Sequence, residues 1–224
     1  MDLGLMCANI AKLWTNYWHI YLIEGVLTTL KLTVFAVVLG ALLGVVVAML
    51  KMSKSKIIRF LITAYIEIIR GTPLLLQLML FYFVLPELIP IFDFSEFTWV
   101  AIALCINSSA YVSEIFRSGI QSVDKGQTEA ARSLGLSGSQ TMVRIVLPQA
   151  IRNILPALGN EFIMMLKETS LASTFFIGDL MTSHLIVKGA TFLMLESLII
   201  TGVIYFCMTY PLSKLVEAFE RKMK

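Results

Sequence analysis

Two sets of polar and ionisable residues stand inside stretches otherwise apolar enough for a bilayer core. Asn160, Glu161, Lys167 and Glu168 lie in NEFIMMLKETSLAS, and Asn107, Tyr111 and Glu114 lie in INSSAYVSEIF. An ionisable group in such a setting is costly and ordinarily faces a cavity or a partner. Glu161 and Glu168 are seven residues apart, so on a helix they share one face about two turns apart. Asn160 and Lys167 form a neighbouring stripe with the same spacing, and Asn107, Tyr111 and Glu114 share a face of their own. These groups suit reversible binding. The carboxylates would seek an amino group, and Lys167 or an amide would seek a carboxylate, so two such faces could cradle a zwitterion. Internal pairing fits the same residues, with Glu168 on Lys167 or another helix and Glu114 near Arg117. Both readings stay open at this point.

Other chemistries are poorly represented. No G-x-x-x-x-G-K-[ST] loop is present to cradle phosphates, so ATP would have to bind on another chain. No cofactor or metal site is expected. Cys7, Cys105 and Cys207 have no ligand spacing and read as small hydrophobes, while His19 and His184 are single residues read as ordinary members of external segments. No nucleophile and base stand together, which argues against an enzyme. The net charge of +3 and the absence of a basic cluster interleaved with aromatics exclude a nucleic-acid partner.

The elements that would position these groups are membrane spans. The chain is 58% hydrophobic and 15% charged, against roughly 45–50% and about 25% in soluble domains. About 20 apolar residues cross a bilayer core as helix, and five segments reach that length, near 22–50, 57–85, 98–121, 150–176 and 193–215. Thirteen of the 18 Lys and Arg residues fall on one side of the implied topology. Positive residues stay cytoplasmic, so the N-terminus is expected outside and the C-terminus inside. Residues 1–21, with Trp14, Tyr17, Trp18 and Tyr21, read as an external interfacial segment. Residues 22–215 form the five-span domain, and 216–224 a basic cytoplasmic tail. Asp2 precedes the first cation, Lys12, which argues against a cleaved signal peptide. In the second span, Gly71 and Pro73 break the helical run, and Glu67 and Arg70 stand where they can neutralise one another. The glycines of GALLG, at 40 and 44, suit close helix packing. Lys31 snorkels or pairs and receives no role.

The cytoplasmic loop at 122–148 is charged and rich in small residues. Asp124 and Gln127 resemble a capping box, residues 125–134 are good helix formers, and Gly135 sits where a C-terminal cap belongs. Ser137 and Gln140 repeat the box for a second short helix, with Pro148 at its exit. Ala130, Ala131 and Gly135 would let another surface come close, and Glu129 and Arg132 can pair with each other or with a partner's charge.

Glu129, Ala130, Ala131, Gly135, Ile145, Leu147 and Pro148 fit, position for position, the pattern of the coupling loop of bacterial ABC importer permeases. The stretches TTLKLTVFAV, EIIRGTPLLLQ, INSSAYVSEIFRSGIQSV, GQTEAARSLGLS and LPQAIRNILPALGNEFIMMLKETSLAS extend the likeness over nearly the whole chain. It most resembles the polar amino acid permeases of the histidine, glutamine and arginine uptake type. That resemblance implies an all-α membrane protein with the type I importer permease fold, in the cytoplasmic membrane of a bacterium. It implies two permeases, identical or paralogous, two ATPase subunits and an extracytoplasmic solute-binding protein. The loop around Glu129, Ala130, Ala131, Arg132 and Gly135 would dock on the ATPase. The family's substrate site maps onto Glu161, Lys167 and Glu168. Two inward carboxylates favour a cationic amino acid, although Lys167 could cancel one of them, and glutamine, glutamate, histidine and cystine remain open.

Overall fold

The computed structural model describes residues 3–223; Asp2 and Lys224 lie outside them, and with them the expectations drawn from those two residues. Helix α1 (Leu3–His19) passes through a π-helical turn at Ile20–Val26 into α2 (Leu27–Lys51) without a break. The first span therefore does not begin afresh near residue 22. The whole 49-residue run is helix, about 73 Å at 1.5 Å per residue and far longer than a bilayer core. Nothing in LIEGV stops a helix, and the wide turn keeps the backbone bonded while shifting the register of side chains. On α1, Trp14 and Trp18 are exposed, whereas Leu13 and, in the π-helical turn, Tyr21 are buried against the later helices.

The second apolar run is two pieces. Helix α3 (Lys56–Gly71) and the segment α4 (Leu74–Met79), a π-helical turn and α5 (Leu85–Leu88) meet at 106°. Thr72 is extended at the break, as the residue before a proline should be. The Gln77 amide stitches the corner, donating to the carbonyls of Ile69 (2.7 Å) and Thr72 (3.2 Å) and to Thr72 Oγ1 (2.9 Å). Carbonyls that the broken helix leaves without amides are thereby satisfied.

Helix α6 (Glu96–Gln121) starts at a Ser95 cap and is the most buried of the long helices. Lys125–Ser133 forms α7 and Gly138–Thr141 forms α8. Through a π-helical turn at Met142–Val146, α8 continues into α9 (Leu147–Glu168). Pro148 does not end the second short helix as expected. It lies in the first turn of α9, where its missing amide breaks no helical bond because the wide turn precedes it. A 3-10 segment at Thr169–Phe175 follows, then α10 (Leu180–Thr191), bent by 44° from the preceding run, and α11 (Met194–Met223).

Small residues set the packing. A Cβ on Gly40 would lie 2.8 Å from the Ser108 Cβ, and one on Gly44 would lie 2.7 Å from Val112 Cγ1, so α2 and α6 touch nearly backbone to backbone, as the GALLG spacing suggests. Gly119 meets Ile154 and Gly159 meets Val216 in the same way. These pairs give directions. Contacts between α2 and α6 advance together along both helices (Gly40 with Ser108, Lys51 with Glu114), so the two run parallel. Those between α6 and α9 advance oppositely (Ser108 with Glu161, Gly119 with Ile154), so they are antiparallel. The broken α3–α5 segment carries the chain back between the parallel pair. Among the described residues three helices are individually long and apolar enough to cross a membrane, or up to five spans result if each bent pair counts as one.

Candidate substrate and coupling sites

Three consecutive residues of α6 each hold a different helix. Asn107 Nδ2 donates to Gln77 Oε1 of α4 (2.9 Å), Ser108 Oγ donates to Glu161 Oε1 of α9 (3.0 Å), and Ser109 Oγ bonds the Tyr65 hydroxyl of α3 (2.6 Å). Successive residues on a helix point about 100° apart, so INSS covers most of the circumference. Buried polar groups need partners, and these three find theirs on three neighbours.

The α9 stripe divides. Glu161 is 3% exposed and bonded to Ser108, whereas Asn160 and Lys167 are exposed. Glu168 is half-buried, and its Oε2 is enclosed with no hydrogen-bond partner among the described residues. An orphaned carboxylate oxygen in a buried position is rare and calls for an explanation.

On α6, Glu114 is engaged rather than free. Lys51 Nζ lies 2.6 Å from its Oε1, and Oε2 receives Arg117 at 2.7 Å, with Arg70 at 3.8 Å. The Arg117 contact is the internal pairing expected for Glu114, and Lys51 and Arg70 add to it. Arg70 also stands over the Tyr111 ring, 5.4 Å from its centroid. The expected pairing of Glu67 with Arg70 does not form: Arg70 reaches Glu114 and Tyr111 of α6 instead, and Glu67 is exposed.

A second polar layer carries no signal in the sequence. His184 is buried, with Nδ1 2.9 Å from Ser197 Oγ, which is itself 2.6 Å from the Tyr21 hydroxyl. This corrects its reading as an ordinary external residue. It ties the π-helical turn before α2 to α10 and α11. Nothing in the sequence pairs positions 21, 184 and 197, since each lies in its own apolar run.

The loop between α6 and α9 has the expected anatomy with one exception. Asp124 Oδ1 caps Gly126 N, without a reciprocal bond from Gln127. Gly135 adopts φ +86°, its amide donates to Arg132 O, and Leu136 N donates to Ala131 O, a Schellman ending. Ser137 and Gln140 form a complete capping box. Glu129, Ala130 and Arg132 are exposed on α7, while Ala131 is buried against the bundle. The Arg132 guanidinium donates to Leu136 O rather than to Glu129, leaving Glu129 to solvent or a partner. Among the described residues no His, Cys, Asp or Glu group could hold a metal ion.

Comparison with known proteins agrees with this architecture. Residues 36–224 match the model of the family described as binding-protein-dependent transport system inner membrane component. The arginine transport system permease protein ArtQ of Bacillus subtilis (strain 168) is 41% identical over 204 residues, covering 91% of this chain and 93% of that protein. The nopaline transport system permease protein NocM of Agrobacterium fabrum is 42% identical over 228 residues, covering 98% of this chain and 91% of NocM. A chain in the crystal structure of an amino acid ABC transporter with histidines superposes with a TM-score of 0.88 at 48% identity, covering 93% of this chain and 96% of that one. The MetNI methionine ABC transporter in an inward-facing form, at 16% identity and a TM-score of 0.70 over 89% of this chain and 96% of that chain, shares the fold. The chain thus belongs to the family of inner-membrane components of binding-protein-dependent transport systems, as a multi-pass membrane permease subunit and not an enzyme.

Proposed function

We propose that this permease carries a polar amino acid, with a cationic side chain favoured, into the cell in an ABC importer driven by a separate ATPase. The observation that carries the substrate class is the unpartnered Oε2 of Glu168, one helical face removed from exposed Lys167 and two turns from Glu161. A carboxylate held without a donor suits a ligand amino or guanidinium group, and Lys167 or Asn160 suits its carboxylate. Asn107, Tyr111 and Glu114 are already engaged within the chain, so the binding role rests first on α9. Exposed Asn160 and Lys167 would be costly against hydrocarbon, which supports a second permease, a copy or a paralogue, covering this face. Two of the similar permeases are named for arginine and nopaline transport, and the similar crystal structure is that of an amino acid transporter with histidines, which points the same way.

A reading of five crossings with the N-terminus outside is supported by the opposite courses of α6 and α9 and by the cations Lys51, Arg117, Lys125, Arg132, Arg144 and Arg221, which positive-inside placement puts on the cytoplasmic side. The α7 helix, with Glu129, Ala130, Arg132 and the Gly135 turn, then faces the cytoplasm and suits docking on the ATPase. A solute-binding protein would deliver substrate to the opposite end. Only a difference in affinity between outward and inward states can drive such a cycle. The test is co-purification with the ATPase and binding protein encoded beside this chain, followed by ATP hydrolysis measured against the twenty amino acids and cystine. Stimulation by one or a few supports the proposal. A stable complex that no amino acid stimulates removes the substrate class, and failure to form a complex removes the coupling role.

A further inference from the structure

A cavity of about 510 Å³ lies behind α7, walled by the end of α6 on one side and by the Gly138–Val146 run on the other. Helix α7 contributes Lys125, Thr128 and Arg132, spaced three and four residues apart and so on one face. No carboxylate lines the cavity, and among the described residues neither Lys125 nor Arg132 enters an ion pair. Arg132 is held from behind by a 2.9 Å bond to Leu136 O, which uses one of its five donors. Gln121 also lines the cavity with its carbonyl oxygen engaged by Arg117, so its N–H donors are what it can still offer. The floor is apolar, including Val123 and Met142.

Two cations, a hydroxyl and an amide above an apolar floor describe a site for an anionic amphiphile. The volume lies within the roughly 300–1,000 Å³ of ligand sites. Lys125 and Arg132 stand about 10 Å apart along α7, so the flexible Lys125 side chain is the one that can close on a phosphate held by the donors Arg132 keeps beyond its bond to Leu136 O. We propose that this cavity binds the phosphate headgroup of an anionic phospholipid, with its glycerol ester region on the apolar floor. Basic pockets beside spans on the cytoplasmic side take such headgroups, and the location rests on the inward placement of the loop proposed above. A lipid seated there ties one face of α7 to the end of α6 and leaves Glu129 and Ala130 on the outer surface. The membrane would thereby stiffen the element that meets the ATPase.

The test uses the purified full-length chain, delipidated in detergent and exposed to phosphatidylglycerol or phosphatidylcholine of the same acyl chains, with retained lipid read by native mass spectrometry. The wild type is expected to retain more phosphatidylglycerol. Lys125→Gln should lower that retention about fivefold, and Lys125→Arg should restore it. Equal retention of both lipids by the wild type, or unchanged phosphatidylglycerol retention in Lys125→Gln, overturns the proposal. Full displacement by millimolar inorganic phosphate would assign the site to a free anion and overturn the lipid reading. If Lys125→Gln abolished assembly with the ATPase while lipid retention held, the cavity would belong to an acidic side chain of that subunit. Because retention is measured without the ATPase, its failure is separable from failure of the coupling role.

Discussion

Ser108 of α6 and Glu161 of α9 are joined by a 3.0 Å hydrogen bond at a point where α2 also packs tightly on α6, through Gly40. One serine therefore sits at the meeting of three helices. Its hydroxyl is the only donor that Glu161 receives among the described residues. Ser108→Ala should leave that carboxylate oxygen buried without a donor and cost about 1–3 kcal/mol, read as a lower unfolding temperature of the purified permease in detergent. An unchanged unfolding temperature would mean that Glu161 finds another partner and that the three-helix junction does not depend on this bond.

Glu168 has the opposite character, since its Oε2 has no donor to lose among the described residues. Glu168→Gln is expected to leave folding intact while lowering uptake of a cationic amino acid about tenfold or more, the effect of removing one charge-assisted bond of about 1.5–3 kcal/mol. Uptake assays of the reconstituted complex, run beside a thermal melt, separate the two effects. A variant that transports normally but melts early would make Glu168 a structural residue.

Glu114 gathers Lys51, Arg70 and Arg117 from three helices. Removing the carboxylate leaves three cations close together and partly shielded from water. Glu114→Gln should destabilise the permease by about 1–3 kcal/mol, and adding Lys51→Gln should recover part of the loss because one repelling charge is gone. A double variant whose loss equals the sum of the two single losses would deny the coupling between these positions.

At Gly135 the backbone turns with φ +86° at the end of α7. A β-branched residue there is strained, so Gly135→Val should disturb the loop while sparing the spans. ATP hydrolysis by the assembled transporter is expected to lose its response to substrate, with the melting temperature of the permease little altered. Retained stimulation would show that the loop tolerates a different ending.

Much of this architecture was legible because apolar runs of bilayer length leave few alternatives. The α6 and α11 spans, the Gly40 and Gly44 contacts, the Pro73 break and the Gly135 turn all follow from local chemistry. What failed was local continuity. Ile20–Val26 and Met142–Val146 adopt π-helical turns that carry helix across stretches read as boundaries, and no residue type announces such a turn. The long-range polar pairs also escaped. Ser108, Ser109, Gln77 and Tyr65 drew no notice because a serine or a glutamine gains its role from a neighbour dozens of residues away. His184 reads as a single histidine of an external segment, yet it is buried and bonded to Ser197, which in turn bonds Tyr21. Lys51 and Glu114, 63 positions apart, could not be joined before the parallel course of α2 and α6 was known. The α9 stripe was found from its spacing, but its division into buried Glu161 and exposed Asn160 and Lys167 depends on where α6 lies.

Under the proposed function this permease moves an amino acid only when a separate ATPase drives it. The direct measurement is uptake of labelled arginine, and of competing amino acids, into vesicles holding the permease, the ATPase and the binding protein, with and without ATP. The account predicts accumulation that requires both ATP and the ATPase and that falls in Glu168→Gln. Accumulation persisting without the ATPase, or no accumulation of any amino acid by an assembled, ATP-hydrolysing complex, would contradict it.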